Sequence, residues 1–154
     1  MPVQISGWIE FSPYENSDHR KEDSSWISWM ELGSVIEFND EINWILIGNP
    51  KDFYNDDPKF KPIAKERGFP KNPDVHLKTD INNIIAFEKK HGKDEIFGFS
   101  YFYFSEVENI NWNEKYKITS KNSDWIKLFE LIKMFKEIKS LNSDQIRITT
   151  WYNY

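Results

Sequence analysis

The chain has 154 residues, a formal net charge of -5 and a sequence pI of about 5.3. It has no cysteine, which excludes disulfides, thiol catalysis and Cys-containing metal sites. Its 20 Lys and Arg are scattered among 25 Asp and Glu, which weighs against a surface that tracks nucleic-acid phosphates. Hydrophobic residues make up only 39% and mean hydropathy is -0.70, yet 17% of the residues are aromatic. The core is therefore expected to use few, large side chains, each removing roughly 150–250 Å² from water. That composition argues against disorder, and the length fits one domain spanning the whole chain. The first residues lack a basic then apolar leader, and no apolar run approaches ~18 residues, so a soluble cytoplasmic protein is expected.

Val3 to Phe11 alternates Val3, Ile5, Gly7, Ile9 and Phe11 against Gln4, Ser6, Trp8 and Glu10, which predicts a strand. Ser12 to Ser25 is polar without period and reads as a surface loop. Trp26 to Phe38 fits either a helix face or an extended segment. Ile42 to Ile47 is a short buried segment stopped by Gly48-Asn49-Pro50. Lys51 to Pro73, with Pro58, Pro62, Pro70 and Pro73 and with Pro50 just before it, reads as a long irregular loop of the kind that carries function.

Asp80 to Lys90 is predicted helical from Ile81, Ile84, Ile85 and Glu88, with Gly92 as its stop. Phe97 to Trp112 holds the densest aromatic run. In a strand, Phe97, Phe99, Tyr101 and Tyr103 would share one face, with Phe102 and Phe104 on the other. Ser105 and Glu108 have capping-box spacing for a short helix ending near Trp112, and Tyr116 and Ile118 suggest a short strand. The clearest helix is Asp124 to Lys139, with Trp125, Leu128, Phe129, Ile132, Phe135 and Ile138 as its apolar stripe and Asn122 or Ser123 as its cap. Gln145 to Tyr152 alternates Ile146, Ile148, Thr150 and Tyr152 against Arg147, Thr149 and Trp151, which predicts a final strand. The expected fold is α+β: a small, mostly antiparallel sheet containing the first, last and aromatic strands, with the C-terminal helix packed on one face.

Four short stretches occur in a recognisable order: Gly7-Trp8-Ile9-Glu10, Arg67-Gly68-Phe69-Pro70, Phe99 to Ser105, and Arg147 to Asn153. Together they resemble a widespread family of uncharacterised phage and prophage proteins with GWIE-like, RG(L/F)P-like, HSxSWLT-like and VRLVFWFDN-like motifs. The resemblance spans nearly the whole chain. Phe99 stands where that family's motif has histidine, Phe102 where it has its second serine, and Asn153 where it has the terminal aspartate. Any polar cluster built on those positions would be largely lost here. What the resemblance implies is a phage or mobile-element setting; it supplies no reaction.

No motif in the chain announces a reaction either. His19, His76 and His91 lie far apart, and only Asp74-Val75-His76 offers two ligands on one side of an extended segment, so no metal or cofactor is expected. Gly98-Phe99-Ser100 lacks the closing glycine of a nucleophile elbow, and no glycine-rich phosphate loop is present. Arg67, on a proline-stiffened turn, suits bidentate capture of a phosphate or carboxylate, or an internal ion pair with Glu10 or Asp74. Arg147 carries the same two readings, with Glu10 a partner for either. Trp8, Trp44, Tyr101, Tyr103 and Trp151 are numerous enough to fill a core or to stack a base.

Arg67, Glu10, Trp8, Tyr101, Tyr103, Arg147 and Trp151 are thus the candidate binding residues, with no catalytic residue assigned. The expected function is a non-catalytic phage- or mobile-element-encoded binding protein. It would counteract bacterial defence by masking a protein or by sequestering a small nucleotide signal, and a homo-oligomer is compatible with it. An immunity protein against a bacterial toxin is the alternative, and a hydrolase built on Glu10, Asp74 and His76 is a third reading.

Overall fold

A computed structural model describes residues 3–13, 26–48 and 61–154. The architecture is α+β: four antiparallel strands in one sheet, ordered β2-β1-β4-β3, with helices. The strands are β1 (Gln4–Phe11), β2 (Ile27–Glu31), β3 (Ile96–Tyr103) and β4 (Ile146–Asn153). The helices are α1 (Ile42–Ile47), α2 (Val75–His91), α3 (Trp112–Tyr116) and α4 (Asp124–Lys139).

The first and last strands pair along their full length, Gln4 opposite Asn153 through Phe11 opposite Ile146. Period-two alternation then sends Ile5, Ile9, Phe11, Ile146, Ile148 and Tyr152 to one face, where they join the main core. Gly7 is required by this pairing: a Cβ there would lie 2.0 Å from the Thr149 carbonyl oxygen across the strand pair.

The two faces are covered differently. On one, α4 places Trp125, Leu128, Phe129 and Ile132 in the main core, with Trp125 against Phe102 and Phe129 against Phe104. The expected stripe holds except at Ile138, which is 76% exposed and aligns with exposed Leu131 and Met134 on the outer face of the helix. On the other face, α2 packs Leu77 and Ile84 against Trp151, with Trp8, Phe69, Ile81, Ile96 and Phe99 around them. α2 begins at Val75, five residues before the expected start, and Gly92 ends it by donating its N–H to the Glu88 carbonyl.

Three further expectations are revised. The aromatic strand does not keep one parity, because a bulge lies between Phe97 and Ser100. Gly98 takes the bulge at φ 71°, and a Cβ there would meet the Tyr152 ring at 2.8 Å. Phe97 is thereby turned to the α4 face beside Tyr152, while Phe99 faces Trp151 on the α2 side. Ser105 does not cap a helix. A single 3₁₀ turn, Phe104–Glu106, follows β3, with the Glu106 carboxylate accepting the Tyr103 N–H, and the later short helix α3 is capped by Asn111. Tyr116 closes α3 and Ile118 follows the left-handed Lys117, so no strand forms there.

The ambiguous Trp26 to Phe38 segment is strand over Ile27–Glu31 and irregular after it, and Ile42–Ile47 is a fully buried helix. Of the Ser12 to Ser25 loop, Ser12 is buried, donating its N–H to the Gln145 carbonyl, and residues 14–25 lie outside the described residues. Residues 61–73 of the proline-rich loop are irregular, and the part before 61 lies outside the described residues.

One buried carboxylate ties two helix starts together. Asp40 accepts the Ser123 hydroxyl at 2.8 Å, the N–H groups of Asp124 and Trp125 at 2.9 and 3.2 Å, and the Ile42 N–H at 3.1 Å. Ser123 is the N-cap residue by backbone position, yet the acceptor that satisfies the orphan N–H groups of α4 comes from Asp40. Burial pushes the Asp40 carboxyl above the usual carboxylate range, even against these donors.

Candidate functional site

Strand parity gathers six of the seven candidate residues on the sheet face under α2. Trp8 and Glu10 stand opposite Thr149 and Arg147, and Tyr101 and Tyr103 stand opposite the same two residues from the other side, with Trp151 next along β4. Arg67 lies outside the sheet, where residues 64–68 run along β3: the Ser100 hydroxyl donates to the Ala64 carbonyl, and the Gly68 N–H donates to the Phe99 carbonyl at 3.0 Å.

At the centre of this face is a buried ion pair. Arg147 Nε donates to Glu10 Oε1 at 2.8 Å, with side chains only 2% and 0% exposed. The two terminal guanidinium nitrogens donate to the carbonyls of Lys71 and Asn72 at 2.8 and 3.0 Å. Glu10 Oε2 accepts the Asp74 N–H at 2.7 Å, and Asp74 accepts the Ser28 N–H at 2.8 Å. The buried Trp26 ring lies 4.1 Å from the guanidinium carbon and seals the pair from water as a cation–π partner. Tyr103 packs beside Trp26 and against Tyr101, each at 6.2 Å between centroids. Burial tends to raise the Asp74 carboxyl, but hydrogen bonding, led by the Ser28 N–H, outweighs this and holds it below the usual range.

Arg67 is also engaged internally, though with Glu106 in place of the expected Glu10 or Asp74. Its two terminal nitrogens reach the Glu106 oxygens at 2.9 and 2.7 Å, and they also donate to the carbonyls of Tyr101 and Ile63. This fork fixes residues 63–67 to the end of β3. For Glu106, burial works to raise the pKa, and the bonds from Arg67 and the Tyr103 N–H overcome it, leaving it lowered. A carboxylate lowered on folding adds stability above its unfolded pKa, near 4.5, and loses it as pH falls through the folded value. Arg67→Ala is therefore expected to cost about 1 kcal/mol near neutral pH, the pair being about a third exposed. The deficit should shrink below pH ~4, as urea unfolding at several pH values would show; a deficit constant down to strongly acidic pH would contradict the assignment.

Trp8 and Trp151 stand at the opposite end of the face. Trp8 donates its indole N–H to Asp80 Oδ2 at 2.6 Å and stacks on His76 at 5.4 Å, while Trp151 is buried against Phe69 and Phe99. Beside them an open groove of about 330 Å³ is lined by residues of both α2 and the sheet. Asp80, Asn83 and Phe87, at positions i, i+3 and i+7 of α2, form one wall; Glu31 and Trp151 contribute from the sheet.

The hydrolase reading needed Glu10, Asp74 and His76 to converge. Glu10 meets the Asp74 backbone, both carboxylates are committed to internal donors, and His76 is exposed against Trp8. Among the described residues no group of three or more His, Cys, Asp or Glu is placed to hold a metal ion, and no helix is long and apolar enough to cross a membrane. Sequence reasoning missed Trp26, Glu106, Glu31 and Asp80. Each acquires its role from a residue far along the chain, and only the Asp80 row on α2 has a local signal, the three- and four-residue spacing. No family model, curated protein or solved structure matches this chain.

Proposed function

We propose that this chain is a non-catalytic binding protein of phage or mobile-element origin that acts in the bacterial cytoplasm by masking a protein component of a host defence system. The phage setting rests on the motif resemblance. The observation that favours a polypeptide over a small nucleotide signal is the state of the two guanidiniums: both are bound by internal carboxylates and carbonyls. An anionic ligand at either would have to break an existing ion pair. A polypeptide partner, by contrast, is suited by what remains on the surface: the exposed row Leu131, Met134 and Ile138 on α4, and the groove beside α2. The acidic walls of that groove also favour the second reading, an immunity protein against a basic toxin.

The test is phage plaquing on bacterial strains that each carry one defence system, with and without this protein expressed. Restored plaquing against a particular system, retained by Arg67→Ala at a temperature where that variant is folded, is the expected result. Restoration that is lost in Arg67→Ala while the fold is intact would point to anion sequestration instead. Relief of a co-expressed toxin without any effect on plaquing would favour the immunity reading.

A further inference from the structure

We infer that the groove between α2 and the sheet seats an arginine or lysine side chain of the partner protein, held between Glu31 and Asp80. This deepens the polypeptide-partner reading and rests on it. Of the residues that line the groove, two are carboxylates and none is cationic. Asp80 spends one carboxylate oxygen on the Trp8 indole, which fixes the side chain in place and leaves its second oxygen for a donor. The Glu31 backbone belongs to the β1–β2 pairing, opposite Trp8, while its carboxylate has no ion pair or side-chain hydrogen bond among the described residues and the residue is exposed.

The same groove is also lined by Trp151, Phe87 and the aliphatic Ile84, side chains suited to the methylene stem and planar head of arginine. Asn83 adds a neutral carbonyl acceptor. The dimensions select the source of the cation: the groove is open along one side, so it grips one flank of a group that another molecule presents. Free small-molecule ligands are usually enclosed over most of their surface. A carboxylate pair facing a guanidinium also discriminates by charge, because a neutral side chain of the same shape would leave both carboxylates unmatched.

The experiment is a titration of the isotopically labelled full chain followed by amide and indole NMR, with three probes: N-acetyl-Leu-Arg-Leu-amide, the same peptide with uncharged citrulline in place of arginine, and agmatine. The expected result is saturable shifts at Gly7, Asn83 and the Trp151 indole with the arginine peptide. Affinity should fall about tenfold in the double variant Glu31→Gln/Asp80→Asn and stay unchanged in Glu130→Gln, a charge change elsewhere on the surface. Asp80→Asn retains an acceptor for Trp8, so the variant keeps its fold.

Equal shifts with the citrulline peptide, no shifts at all, or full affinity in the double variant would overturn the inference. Agmatine binding more tightly than the peptide would assign the groove to a free amine and overturn the partner side chain. Restored plaquing that survives Glu31→Gln/Asp80→Asn undiminished would sink the groove as the partner's seat while leaving the polypeptide reading intact.

Discussion

Arg147→Ala and Glu10→Ala are each expected to lower stability by about 3–5 kcal/mol, the largest loss for any single polar change in this chain. Removing either partner leaves the other charge at 2% exposure or less with no counter-ion. It also strips donors or acceptors from Lys71, Asn72 and Asp74, the backbone groups that fix the segment leading into α2. The coupled variant Glu10→Leu/Arg147→Met should cost less than the sum of the two single changes, since no uncompensated charge stays behind. It will not recover fully, because those three backbone groups still lose their partners. Equilibrium unfolding in urea measures all three. Wild-type stability in Arg147→Ala would contradict a structural role and return Arg147 to the pool of ligand-binding residues.

Asp40→Ala is expected to cost about 2–4 kcal/mol, more than a usual helix cap, because a single carboxylate satisfies donors at the starts of both α1 and α4. Ser123→Ala should cost about 1 kcal/mol or less, since it removes one donor and leaves the Asp40 bonds to the α4 backbone intact. The pH dependence has a sign opposite to that of Glu106. Asp40 is raised on folding, so protonating it favours the native state, and its charge costs stability as pH rises through the folded value. Acid stability curves of wild type and Asp40→Asn separate the two: the variant should lose stability on acidification more steeply than wild type. A parallel pair of curves would contradict the burial argument.

The elements that were legible in the sequence are those whose signal is local. β1 and β4 follow from strict alternation of Ile5, Ile9, Ile146 and Ile148, and α4 follows from the Trp125, Leu128, Phe129 and Ile132 spacing. Glu10 was legible as a partner for Arg147 because both fall on the same parity of strands that had to share a sheet. The bulge that turns Phe97 over was not legible, since it depends on the Tyr152 ring lying against Gly98. The cap from Asp40 acts across more than eighty residues of sequence, and the Arg67 partner had to be chosen among 25 acidic side chains. The six candidate residues on the α2 face were found as residues but not as a site: sequence supplies their types, and only the sheet shows that the ion pair at one end is sealed while the groove at the other is open.

Native mass spectrometry of the protein drawn from cells carrying the defence system against which plaquing is restored tests the central claim most directly. The account predicts the 18.5 kDa chain in a discrete complex with one polypeptide of that system. The chain alone, carrying a mass gain of the size of a nucleotide, would contradict it.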